Sequence, residues 1–136
     1  MTVTCHEMRS AEERCFASGI SAGFLMEKAS AGIASAIRQF FPEPGRLVLF
    51  LGSGNNAGDA IVAARILREL GWQIFLRRLS DELSDLAGEK LGALEEGDFC
   101  EIESAWALVS DCGGGPLLLL DGLVGIGARG ALRSPL

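Results

Sequence analysis

Leu47-Val48-Leu49-Phe50-Leu51-Gly52-Ser53-Gly54-Asn55-Asn56-Ala57-Gly58-Asp59 joins an unbroken apolar run to a glycine-rich polar loop. A strand buried on both faces reads as such a continuous run, which is the habit of a central strand in a parallel sheet. The loop that follows opens onto Ile61, Val62, Ala64, Ile66 and Leu67, spaced at helical period, with Gly71 placed to stop the helix. Strand, glycine loop and helix in that order predict a β-α unit, with the helix running from about Gly58 to Leu70.

The pattern repeats outward. Trp72 to Leu79 reads as a second strand and Asp81 to Glu96 as a helix. Leu83, Leu86, Leu91 and Leu94 form its apolar face, and Lys90 stands among Glu82, Asp85, Glu89 and Glu95 on a solvated face. A short strand near Phe99 to Ile102, a helical stretch around Ala105 to Val109 and a turn at Gly113 to Pro116 follow. Leu117 to Leu120 is another buried strand, ending in Asp121. Before the first strand lie two helices. Thr4 with Glu7 predicts a capping box for one ending near Ala17, and Ser21 caps a second that Pro42 and Pro44 end. Alternating strands and helices predict an α/β fold with a parallel sheet covered on both faces, preceded by two N-terminal helices. The whole chain, 1–136, reads as a single domain.

Composition narrows the function. The chain has 136 residues and a net charge of −6, the wrong sign for a general nucleic-acid binder. No apolar run approaches the roughly 20 residues that span a membrane. Glu7, Glu12 and Glu13 fall where a secretory signal would need an apolar segment. Cys5, Cys15, Cys100 and Cys112 form no C-x-x-C pair, and His6 is the single histidine, so a zinc site is not predicted. Four free thiols suit a reducing cytoplasm.

In parallel sheets ligands bind beyond the carboxyl ends of the strands, where strand order reverses. Two loops qualify, after Leu51 and after Leu120. In the first, glycines let backbone amides approach an anion, and the helix start adds partial positive charge. No Lys-Ser/Thr pair follows, so it is not a P-loop. Asn55 and Asn56 offer donors and acceptors, while Asp59 can cap the helix or accept from ligand hydroxyls. The bland reading makes these asparagines turn formers. In the second loop, Gly125-Ile126-Gly127-Ala128-Arg129-Gly130 spells G-x-G-x-x-G, but too little chain follows for the helix and strand of a dinucleotide fingerprint. Its backbone and Arg129 can still wrap a phosphate. Asp121 either caps the following turn or, with amide and carbonyl oxygens nearby, holds a hard cation. Arg77 and Arg78 end the second strand, more simply as a solvated pair than as a 2′-phosphate site.

Three segments together resemble the NAD(P)H-hydrate epimerase family, the YjeF N-terminal domain. Gly52-Ser53-Gly54-Asn55-Asn56-Ala57-Gly58-Asp59-Ala60 is similar to its G-P-G-N-N-G-G-D-G, and Ile61-Val62-Ala63-Ala64-Arg65 to its L-V-A-A-R. Leu25-Met26-Glu27-Lys28-Ala29-Ser30 resembles L-M-E-N-A-G, and Asp121-Gly122-Leu123-Val124-Gly125-Ile126-Gly127 resembles D-A-L-F-G-T-G. The resemblance implies a Rossmann-like three-layer αβα sandwich with a mostly parallel sheet, preceded by the two N-terminal helices, and an isomerase that interconverts the R and S epimers of hydrated NADH and NADPH (NADHX and NADPHX). It also implies a potassium ion, a homodimer and a functional coupling to a dehydratase. By position, Asn56 and Asp121 would be potassium ligands. Asn55, Asn56, Ala57, Gly58 and Asp59, with Gly125, Ile126, Gly127, Ala128, Arg129, Gly130 and Ala131, would contact the substrate.

Lys28, Ser30, Ala57 and Ala60 depart from the pattern, Ala57 where an added methyl would tighten the approach to ligand. The family's later D-x-P-S-G-like segment, whose Asp is proposed to act on substrate, has no counterpart here. The expectation is therefore the first part of a larger domain, with apolar sheet surface exposed or buried against another copy. Asp59 and Asp121 are the carboxylates read into the crevice. A nucleotide-binding module without turnover and a structural dimerisation partner are the alternatives.

Overall fold

A computed structural model describes residues 2–104, 108 and 115–126. Helix α1 spans Cys5–Ala17 and α2 spans Ala22–Phe40. The capping box forms as read: the Thr4 hydroxyl accepts from the Glu7 N–H, and the Glu7 carboxylate accepts from the Thr4 N–H at 2.7 Å. These bonds to the charged form hold the exposed Glu7 carboxyl below its ordinary pKa. Gly19, at φ +87°, turns the chain after α1, and the Ser21 hydroxyl accepts from the Phe24 N–H to start α2.

Strand β1 is Arg46–Leu51, α3 is Asn55–Glu69, β2 is Gln73–Arg78 and α4 is Asp85–Glu95. The short β3, Cys100–Glu101, and β4, Leu117–Gly122, complete the set. The sheet order is β3-β2-β1-β4 and every pairing is parallel. Because β1 is paired along both edges, Leu47, Val48, Leu49 and Leu51 are all buried, which is why its sequence does not alternate.

The architecture is α/β and Rossmann-like, with two helices ahead of a parallel sheet, and it fits a three-layer αβα arrangement. One layer is built from Leu47, Leu49 and Leu51 of β1 with Ile74 and Leu76 of β2. Ile61, Ala64 and Leu67 of α3 lie on them, flanked by Ala34 of α2 and Leu91 and Leu94 of α4. Trp72 belongs to the same core; Trp106 lies outside the described residues, as do Cys112 and most of the expected 105–109 helix. By the two-residue alternation of strands, Val48, Phe50, Phe75 and Leu119 face the other way, and Leu119 is 60% exposed.

Four expectations are corrected. Helix α3 begins at Asn55, not Gly58, and α4 at Asp85, not Asp81. Apolar periodicity marks burial rather than helix, and the first turn of α3 faces the crevice with polar side chains. Lys90 is not on a solvated face: its side chain is 15% exposed and its ammonium pairs with Glu27 Oε1 at 3.2 Å. That bond holds its pKa above the ordinary lysine value. Arg78 is not solvated either. It pairs with Glu95 at 3.0 Å and Glu101 at 2.9 Å, fastening α4 and β3 to β2. Cys5, Cys15 and Cys100 are free thiols. Among the described residues no helix is long and apolar enough to cross a membrane.

Candidate functional site

The chain passes from β1 to β2 on one side, while β4 adds on the other. Strand order therefore reverses between β1 and β4, and the crevice opens at their carboxyl ends. Gly52 sits at that point. Its N–H donates to the Gly122 carbonyl at 3.1 Å, extending the ladder past β1, and a Cβ there would strike the backbone of Leu123. The two glycine loops thus touch through bare backbone.

Asn56 clasps them. Its Nδ2 donates to the carbonyl of Asp121 at 3.3 Å and of Val124 at 3.2 Å. Gly125 lies against the Asn56 Cβ. The Asp121 carboxylate accepts from the Leu123 N–H at 2.8 Å, fixing the turn that presents those carbonyls. On the other side, Asn55 Oδ1 accepts from the Ser84 hydroxyl at 2.8 Å, and the Ser84 N–H donates to the Ser53 carbonyl at 2.8 Å. Ser84 is the N-cap of α4, so the first loop is held between β4 and the start of α4. Gly54 is the N-cap of α3 and contributes no side-chain cap to the N–H groups at the helix start.

Ala57 and Gly58 are buried. The Ala57 methyl belongs to the apolar core, so it fills the interior and does not tighten the crevice. Gly58 lies under Met26, whose thioether a Cβ would strike. Ser30, at the second departure in the α2 segment, is fully buried. Its Oγ lies 2.7 Å from the Met26 carbonyl and 3.0 Å from the Asp59 carbonyl, a shared donation that ties α2 to α3.

Asp59 is the fifth residue of α3, one turn in from the start where the sequence placed it. It is half-buried, and burial is the main force raising its carboxyl above the ordinary aspartate value, with repulsion from Glu12 adding to it. Glu12 escaped the sequence reading. It comes from α1, where Met8, Ala11, Glu12 and Cys15 share one face at helical spacing, the signal that could have found it. That face closes a cavity of about 330 Å³ with α2, Asn55, Asp59 and Leu86. Arg9 anchors α1 across the crevice by donating to the Ile126 carbonyl at 3.1 Å. His6 is exposed on α1. Gly127, Ala128, Arg129, Gly130 and Ala131 lie outside the described residues.

The structure thus brings Asn55, Asn56, Asp121, Gly125 and Ile126 to one crevice, with Asp59 in the adjoining cavity. It does not bring Arg78 there. Among the described residues no cluster of three or more His, Cys, Asp or Glu could hold a metal. Oxygen from carbonyl and amide groups is what the crevice offers.

Known proteins resemble this chain. A bifunctional NAD(P)H-hydrate repair enzyme from Archaeoglobus fulgidus is 34% identical over 133 residues, covering 98% of this chain and 27% of that protein. An NAD(P)H-hydrate epimerase from Cenarchaeum symbiosum is 30% identical over 138 residues, covering 99% of this chain and 64% of that one. The chain therefore spans between about a quarter and two-thirds of these relatives. The crystal structure of the yeast protein ynu0 superposes with a TM-score of 0.80 at 20% identity, covering 99% of this chain and 61% of that one, and shares the fold. The family described as YjeF-related protein N-terminus matches residues 22–136, from the first residue of α2 through both crevice loops, and the chain belongs to that family.

Proposed function

We propose that this chain acts in the repair of hydrated nicotinamide cofactors, interconverting the R and S epimers of NADHX and NADPHX. The observation that carries the reading is the Asn56 clasp between two glycine loops, beside a helix start without a side-chain cap. The uncapped N–H groups of α3 suit the pyrophosphate. Asn55 and the loop from Gly125 suit the ribose hydroxyls and phosphates, and Arg129 would add charge. Relatives of the chain carry the epimerase name.

A potassium ion fits the donor set. The carbonyls of Asp121 and Val124 converge on the Asn56 amide, which makes to them the contacts a cation would make. With the Asp121 carboxylate and the Asn56 side-chain oxygen these are all hard oxygen ligands. A bound ion would supply positive charge beside the substrate's phosphates. The reading extends to a homodimer in the cytoplasm, working ahead of a dehydratase.

The test is epimer interconversion of purified NADHX, followed by chromatography with and without potassium. Interconversion that depends on potassium and is lost in Asn56→Ala supports the reading. Binding of ADP without interconversion makes the chain a nucleotide-binding module instead.

A further inference from the structure

The cavity under α1 adjoins the start of α3 through Asn55, but its chemistry differs from that of the glycine loops. Its walls are apolar, with Met8 and Ala11 of α1, Leu25 and Met26 of α2 and Leu86 of α4. Its polar lining residues are Glu12, Asp59, Asn55 and Cys15. Asn55 Oδ1 is taken by Ser84, which leaves its Nδ2 as a donor.

Two carboxyl groups in a half-enclosed apolar space repel a pyrophosphate, so the anionic part of a dinucleotide belongs at the α3 start and not here. What the cavity accepts is neutral, flat-sided and able both to donate and to accept. At about 330 Å³ it lies at the lower end of the roughly 300–1,000 Å³ of small-ligand sites, room for one substituted ring. Methionine side chains are flexible enough to adapt to the outline of a non-aromatic ring. A hydrated dihydronicotinamide ring carries no charge. Its carboxamide N–H groups and ring hydroxyl can donate to carboxylate oxygens, and its carboxamide oxygen can accept from Asn55 Nδ2. The raised Asp59 pKa, caused first by burial and then by Glu12, agrees with a site that favours neutral partners.

We propose that the α1–α2–α3 cavity is the subsite for this neutral, amide-bearing ring, and that α1 sets specificity for the ring end of the ligand. The assignment rests on the cofactor-repair reading above, and it adds Glu12, Met8 and Ala11 to the residues that touch ligand.

Calorimetric titration of the full chain with two ligands tests it: NADHX, which carries the ring, and ADP-ribose, which carries the diphosphate and ribose without it. Ala11→Phe fills the cavity from a helix that has no buried residue, so the fold tolerates it. Affinity for NADHX is expected to fall at least tenfold while affinity for ADP-ribose stays within twofold. Met8→Trp, from a position 41% exposed, enters the same space and is expected to give the same split. Equal losses for both ligands, or no loss for NADHX in either variant, overturn the subsite and leave the cofactor-repair reading standing. Binding of neither ligand by the unaltered chain overturns that reading and the subsite with it.

Discussion

Gly52 and Asp59 illustrate how differently single residues speak. Gly52 is legible in the sequence as part of a glycine loop, yet its reason is tertiary: the Leu123 backbone occupies the place of a side chain. Gly52→Ala should therefore destabilise the fold by about 2–3 kcal/mol, as forced overpacking does, measured by urea unfolding. An unchanged midpoint would mean that the loops are not in contact. The sequence places Asp59 in the crevice, whereas it lies in the adjoining cavity beside Glu12, a neighbour that nothing local announces because the two residues are 47 positions apart. The folded pKa of Asp59 is raised. Its ionised form therefore weakens the fold at neutral pH, and that penalty is relieved as pH falls through the folded pKa toward the ordinary aspartate value. Asp59→Asn is expected to melt higher than the unaltered chain at pH 7, with the gain vanishing near pH 3. A gain that is independent of pH would contradict the assignment. Asn56 and Asp121 were chosen for their oxygens, and the structure shows the bonds they make to the loop backbone.

Among the elements, caps and apolar runs announced α1, α2 and the strands β1 and β4, because a capping box or an unbroken apolar run leaves a local mark; but β4 lies at the end of the described sheet with Leu119 exposed, so it is not the buried strand that its sequence predicts. The joints between helices left none. Glu27 lies on α2, where it pairs with Arg65 of α3 at 3.1 Å and Lys90 of α4 at 3.2 Å. The sequence shows three charges; their meeting is a product of helix packing. Both pairs are part-exposed, and together they hold the three-helix layer that flanks the cavity. Glu27→Ala is expected to cost about 1 kcal/mol at low salt, and less in 1 M sodium chloride, read from denaturant midpoints. A loss that is insensitive to salt would assign the effect to packing of the side-chain stem.

For the molecule as a whole, alternating strands and helices made the α/β class readable, since period and order are written in the chain. The side of β1 on which β4 adds was not, because strand order depends on crossovers that sequence spacing does not specify. The exposed Leu119 on the sheet face away from α3 bears on assembly. If copies pair through that face, sedimentation velocity will show a dimer that Leu119→Lys converts to monomer; a dimer unaffected by the change places the interface elsewhere. The crevice itself is best tested by where a ligand lands. In a ¹⁵N-labelled chain titrated with NADHX, amide shifts are predicted to cluster at Gly52–Asn56 and Gly122–Ile126, at the carboxyl ends of β1 and β4. Shifts gathered at the opposite end of the sheet, around Gly45 and Leu117, would contradict the site.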